Sequence, residues 1–389
     1  MEDGKVKLMK RKILLYIFMV LMVAPVAAQQ TSAYRFHIFD DYLLNPGYVG
    51  MKDYYPVLIG RDQRFMGLES SPTTYFFSVD SRVGEGYIFA KDGKINKFFE
   101  NFGNMALGFQ LFQNTFGPSN ETNIGLTYGY HLDLNQNYKR KNPRKMVLAF
   151  TPRLKGMVYN ANKLGLNSDV IVDNTGFSDP SLGSGKFVND WIFTADVGAV
   201  YKTVHGEFGF AALDFLQTKN KLESQWLTLN DTTSFTTYDS LYPAKFLVNA
   251  KLTFIEMYHS GLFDITFIPS AAAIYGPKTK ASEFFVDLML EGVFRQHIAG
   301  LRSEVVMIGQ LGLNIHHARI YEPATFIQPY VTFDFKNFTI MYAQTLNFVQ
   351  NDLVSAPGVS NGGQLSVLFK LSNDRVVRSR PKQGGTWHN

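Results

Sequence analysis

The chain has 389 residues, of which 46% are hydrophobic, 15% aromatic and only 18% charged, with a mean hydropathy of −0.08. A helical membrane protein would carry several apolar runs of about 20 residues and this chain has one candidate, at its N-terminus. Cysteine is absent, which excludes disulfides, thiolate metal sites and a Cys nucleophile. Residues 1–28 carry +3 of the formal +5, so the remainder holds +2. Its basic residues are scattered, and nothing favours nucleic acid as a partner.

In chain order, the first element reads as a cleaved signal peptide over residues 1–28. Lys5, Lys7, Lys10, Arg11 and Lys12 form a basic region, 13–23 an apolar one, and Val26-Ala27-Ala28 a small-residue cleavage site. The expected domain is an outer-membrane β-barrel over 29–373 with an N-terminal periplasmic lead-in. A basic periplasmic tail, 374–389, completes the chain.

Alternation at period two dominates the remainder of the sequence. Over 104–114 Met105, Leu107, Phe109 and Leu111 oppose Ala106, Gly108 and Gln110. Over 123–132 Ile124, Leu126, Tyr128 and Tyr130 oppose Gly125, Thr127, Gly129 and His131. Over 246–254 Phe246, Val248 and Leu252 oppose Asn249 and Lys251. Over 284–294 the polar face carries Asp287 and Glu291. One apolar face and one small or polar face, over segments of 10–13 residues ending in aromatics, predict an all-β, transmembrane antiparallel up-and-down β-barrel of about fourteen strands. The strands are predicted near 54–66, 71–83, 103–113, 122–134, 146–158, 191–203, 206–216, 244–257, 261–274, 284–296, 301–316, 326–335, 338–349 and 362–372. An even number places both chain ends on the periplasmic side. From the fifth strand onward short turns and long loops then alternate, with 159–190, 217–243 and 350–361 outside. Before it the alternation breaks down, which raises a mispaired early strand as an expectation.

Residues 42–134 carry a resemblance. Tyr42-Leu43-Leu44-Asn45-Pro46-Gly47 resembles the "NPA" segment of the PorP/SprF family. Arg61-Asp62-Gln63-Arg64-Phe65-Met66-Gly67 resembles its "RxQWxG" stretch, with Arg64 where Trp is usual. Pro72-Thr73 and Ser78-Val79-Asp80 match "PxT…SxD", and Tyr128-Gly129-Tyr130-His131 is similar to its "YAYH" strand. The resemblance implies a component of type IX secretion or gliding motility in Bacteroidota. Such a protein binds a secreted type IX substrate or a cell-surface adhesin, or other secretion-system or gliding components, in contact with outer-membrane lipid. The motif positions Asn45, Pro46, Arg61, Gln63, Gly67, Pro72, Thr73 and Asp80 are the expected partner-binding residues, together with the long loops.

The residues themselves support local readings. Asn45-Pro46 is a turn-former expected to keep Leu44 extended. Gly60 and Gly67 permit a bulge or a close approach. Arg61 and Asp80 are placed to pair in the lumen if both face it. His131, Asp287 and Glu291 are the expected lumen-facing polar residues. His131 with Asp133 suggests a hydrolase dyad, but no Ser is selected, and a lumenal hydrogen-bonding role is the simpler reading. His316-His317 reads as a solvent-exposed pair rather than a metal site. Asp287 and Glu291 read as part of a salt-bridge network with Lys251 or Arg295. No catalytic residue, metal or cofactor is expected, and a porin-like small-solute channel is the alternative function.

Overall fold

The computed structural model describes residues 40–52, 54–63, 71–83, 104–116, 119–134, 144–159, 188–218, 244–252, 255–260, 263–277, 281–296, 304–319, 323–335, 337–347 and 362–371. The expected signal peptide, Gly67, most of the long loops and the basic tail lie outside them. Sixteen strand segments are present: β1 Tyr55–Gln63, β2 Thr73–Val83, β3 Met105–Phe116, β4 Ser119–Asp133, β5 Lys145–Tyr159, β6 Val188–Lys202, β7 Gly206–Gln217, β8 Lys245–Leu252, β9 Ile255–His259, β10 Phe263–Gly276, β11 Ala281–Gln296, β12 Glu304–Arg319, β13 Pro323–Asp334, β14 Phe338–Gln344, β15 Leu346–Asn347 and β16 Gly363–Leu371. Because β8 and β9 both pair with β10, and β14 and β15 both pair with β13, the segments form fourteen staves. All pairs are antiparallel, and β1 pairs with β16 from Tyr55↔Leu371 to Gln63↔Gly363, which closes the barrel. Among the described residues every strand but the short β9 and β15 pairs on both sides, as a wall in lipid requires.

The early strands pair in sequence order, β1 to β5, so the expected mispairing does not occur. Unequal connection length there is a feature of the loops and not of the register. Tight hairpins close at 203–206, 260–263 and 335–338, where Thr203, Ser260 and Phe335 donate backbone N–H bonds of 2.8, 2.9 and 2.8 Å across the turn. All three lie at the end where β1 begins and β16 finishes.

The pleat sorts side chains as the alternation predicts. Leu107, Leu126, Tyr128, Tyr130, Leu148, Phe150, Phe208 and Phe210 face outward and are exposed, while Gln110, Thr127, His131, Thr151 and Asn249 are buried inside. An outward apolar surface rich in aromatics is a lipid face. Among the described residues no helix is long and apolar enough to cross a membrane; the strands do so.

The interior is more apolar than a polar-lumen barrel predicts. Three buried apolar clusters line it, and each includes residues from the segment that precedes β1. That segment, residues 40–52, is the expected periplasmic lead-in, and it folds inside the barrel instead. It makes two 3-10 turns, Asp41–Leu43 and Pro46–Tyr48. The Asp40 carboxylate caps the first by accepting the Tyr42 N–H at 3.2 Å. The Asn45 side-chain Oδ1 caps the second by accepting the Gly47 N–H at 2.9 Å. Proline restricts the residue before it, so Asn45 is extended (φ −133°, ψ 118°), whereas Leu44 is right-handed helical (φ −87°, ψ −47°) and not extended as expected. Gly50 then turns the chain at φ +65°, which favours glycine.

Candidate functional site: the occupied lumen

The segment meets the wall on several sides. Tyr42, Tyr48 and Val49 pack with Ala106, Val147, Ala149 and Val200. Leu44 packs with Ala211, Leu213, Leu247, Ala272, Ile274 and Phe285. Leu43 joins a third cluster that includes Leu58, Phe76, Phe112, Tyr330, Met341 and Leu368. The two turns expose backbone groups that no helix partner satisfies, and the wall supplies partners for them. Gln110 Nε2 donates to the Tyr42 carbonyl at 3.0 Å. His131 Nε2 lies 2.9 Å from the Val49 carbonyl, which can only accept, so that nitrogen carries the proton. Asp80 Oδ2 accepts the Gly50 N–H at 2.7 Å.

Side chains complete the seat. Tyr42 donates its hydroxyl to Thr127 Oγ1 at 2.7 Å, and burial pushes that hydroxyl above its ordinary pKa, so it remains a donor. Asn45 Nδ2 donates to Asn249 Oδ1 at 3.0 Å, and Asn249 Nδ2 donates to the Tyr48 hydroxyl at 2.7 Å. At the mouth where β1 begins, Lys52 pairs with Asp40 at 2.8 Å and Lys251 with Asp41 at 2.7 Å. Lumenal glycines let the segment sit this close. A Cβ on Gly108 would lie 2.2 Å from the Tyr42 hydroxyl oxygen, one on Gly129 2.3 Å from Val49, and one on Gly198 2.4 Å from Asn45.

The sequence-predicted residues divide between two places. Asn45, Pro46 and Asp80 build the lumenal seat, with His131. Arg61, Gln63, Pro72 and Thr73 lie at the opposite rim, beside the β1–β2 connection. There Arg61 donates to Gln63 Oε1 at 2.7 Å, Gln63 Nε2 donates to Ser71 Oγ at 3.0 Å, and Thr73 Oγ1 donates to the Ser71 carbonyl at 3.2 Å. Arg61 is exposed on the outer face, its guanidinium 5.6 Å from the Tyr75 ring centroid. It therefore makes no lumenal pair with Asp80. The register explains the correction: Leu58 and Asp62 point inward, so Ile59 and Arg61 point out.

Two further expectations change. His316 is buried, not solvent-exposed; its Nε2 lies 3.2 Å from Glu283 and its ring stacks on Phe285 at 4.1 Å. His317 faces the other way and meets Thr325 Oγ1 at 2.8 Å. Asp287 and Glu291 do face the lumen, yet their hydrogen bonds come from neutral groups. The Tyr330 hydroxyl donates to Asp287 at 3.0 Å and Gln310 Nε2 to Glu291 at 2.9 Å, while Lys251 pairs with Asp41. The side chain of Arg295 lies outside the described part of the chain.

Beyond the seat, toward the far rim, is a buried charge cluster that sequence reasoning missed. Arg153 pairs with Asp196, and Lys155 with Asp214 at 2.7 Å; the Asp214 N–H donates to Asp196 Oδ1 at 2.8 Å. Asp214 has φ 53°, where the β6–β7 register shifts between Ala195 and Val197. Sequence offered the alternating Arg153 and Lys155 as a signal, but their partners lie 43 and 59 residues away. Charges at this depth are paired, as burial demands. Among the described residues no group of His, Cys, Asp and Glu is arranged to hold a metal ion.

A closed barrel with a lipid-facing aromatic surface and its own N-terminal segment seated in the lumen is a plugged outer-membrane β-barrel. Its sequence matches the family described as type IX secretion system membrane protein PorP/SprF over residues 26–360, and the chain belongs to that family. It is thus an outer-membrane component of type IX secretion. A search of curated proteins finds no match. Solved barrels resemble it distantly. The CymD monoaromatic hydrocarbon channel is 10% identical, with a TM-score of 0.41 over 89% of this chain and 95% of that one. The TodX deltaS2S3 mutant monoaromatic hydrocarbon channel is 9% identical, with 0.42 over 90% and 96%. BamA from Haemophilus ducreyi lacking POTRA domains 1–3 is 7% identical, with 0.35 over 81% and 70%.

Proposed function

We propose that this barrel is a non-enzymatic binding component: it holds a secreted type IX substrate or cell-surface adhesin, or another part of the secretion or gliding machinery, and carries out no chemical step. The observation that supports this reading is the seated segment 40–52. A lumen occupied by the protein's own chain, bonded to the wall through Gln110, Thr127, His131, Asn249 and Asp80, is poorly suited to free solute diffusion. His131, the residue on which a hydrolase would depend, has its Nε2 proton engaged by the Val49 carbonyl. Binding is then the work of the far rim, where Arg61, Gln63, Pro72 and Thr73 cluster and where the connections 160–187 and 218–244 emerge from β5–β8. With the chain ends in the periplasm, that rim faces the cell exterior.

Purification from the native membrane, with planar-bilayer recording of the product, tests the proposal. A large secreted or secretion-system protein should copurify, and the barrel should carry little current. Steady solute flux with no bound protein would establish the porin-like alternative instead.

A further inference from the structure

The wall is unevenly hydrogen-bonded. β5 and β6 pair along their full fifteen residues, Lys145–Tyr159 against Val188–Lys202. Around the closure the strands are short among the described residues: β14 has seven and β16 nine, comparable with the eight of β8. β13 pairs with β14 only from Tyr330↔Ala343 to Asp334↔Thr339, and pairing resumes with β15 at Ile327↔Leu346. Between these stretches the ladder lapses where Gln328-Pro329 faces Gln344-Thr345, and Pro329 has no N–H to donate. Backbone hydrogen bonds hold a barrel wall together in lipid, where water cannot replace them. Among the described residues the sector from β13 through β14 and β16 to β1 is therefore thinly held: its strands are short, and its one lapse lies between β13 and β14.

An apolar cluster backs this sector from inside, and Leu43 is the plug's contribution to it. Its wall members include Leu58 of β1, Phe76 of β2, Tyr330 of β13, Met341 of β14 and Leu368 of β16. Two glycines make room for the rings. A Cβ on Gly60 would lie 2.2 Å from Phe76, and one on Gly312 2.0 Å from Tyr330. Near the fully paired β5–β6 wall, the segment meets smaller residues, Ala149 and Gly198 among them.

We propose that residues 40–52 act as an internal clasp, in which Leu43 holds the thinly hydrogen-bonded seam from β13 to β1 closed, so that this sector loosens when the segment leaves its seat while β5–β6 stays paired. The inference does not depend on what the barrel binds.

Amide hydrogen exchange on the full chain in lipid nanodiscs, comparing wild type with Leu43→Ala and Leu43→Asp, tests it. Exchange in β13, β14, β16 and β1 should accelerate by more than about tenfold, which is the least that losing a buried leucine predicts, with β5–β6 unchanged. A second measurement exploits the cysteine-free background. A disulfide across Val331 and Tyr342 bridges the seam, and one across Leu148 and Ala199 bridges β5–β6, each between cross-strand register partners. Only the seam bridge should restore wild-type resistance to heat unfolding in the Leu43 variants. Uniform acceleration around the barrel, unchanged exchange at the seam, or equal rescue by both bridges would overturn the proposal.

Discussion

Gly198 offers a direct measure of how tightly the segment is seated. Alanine there adds one methyl group pointing into the lumen. That carbon would lie 2.4 Å from Asn45 Oδ1, 2.7 Å from the Gly47 nitrogen and 2.9 Å from Pro46 Cγ. The Gly47 nitrogen is backbone, so no rotamer change relieves the contact, and either the second turn or β6 must shift. Overpacking of this kind costs about 1–3 kcal/mol. Two other glycines calibrate the result. At Gly125 the nearest atom is Thr151 Cγ2 at 3.4 Å, ordinary contact, so alanine should cost well under ~1 kcal/mol. At Gly309 nothing lies within 4 Å, and alanine should be neutral or stabilise by about 0.4–1 kcal/mol through the unfolded chain. Reversible urea unfolding in lipid vesicles, monitored by tryptophan fluorescence, would rank the three variants by midpoint. If Gly198→Ala and Gly309→Ala unfold at the same urea concentration, residues 45–47 do not rest on the β6 wall and the lumenal seat is refuted.

The same assay reads three further substitutions. His131→Ala leaves the buried Val49 carbonyl without its donor and should cost about 1–3 kcal/mol. Asp80→Ala removes the acceptor of the Gly50 N–H and should cost a similar amount, whereas Arg61→Ala, exposed on the outer face, should stay within ~0.5 kcal/mol. An Arg61 variant as damaging as the Asp80 one would revive the lumenal pair that the register excludes. Asn45→Ala removes both a turn cap and the bond to Asn249, so its loss of about 2–3 kcal/mol should exceed that of Lys251→Ala, whose half-exposed pair with Asp41 is worth at most ~1 kcal/mol.

Most of the wall was legible because alternation is a local property. Leu107, Leu126 and Phe246 each sit between small or polar neighbours, and that alone assigns their faces. β1 was not legible in this way. Val57-Leu58-Ile59 is apolar without interruption, so neither face could be chosen, and the outward turn of Arg61 went unread. His316 continues the inward series of Gly312 and Asn314, but the carboxylate that keeps it buried comes from Glu283 on the neighbouring strand. The seated segment was hidden for a different reason. Residues 40–52 have no period at all, and their apolar residues are satisfied only by partners as distant as Leu247 and Leu368. A faint trace existed in Gly108, Gly125 and Gly129, which repeat on the inward face of β3 and β4. A wall bare of side chains leaves room for something to fill it.

The ion pair between Lys52 and Asp40 gives the segment a property of its own. The two ends of residues 40–52 meet at one mouth, so the described segment is a loop tethered to β1. Once out, it remains fastened to β1 by Tyr54 and its neighbours, at an effective concentration on the order of millimolar. Return to the seat is then a first-order event, independent of how much protein the membrane holds.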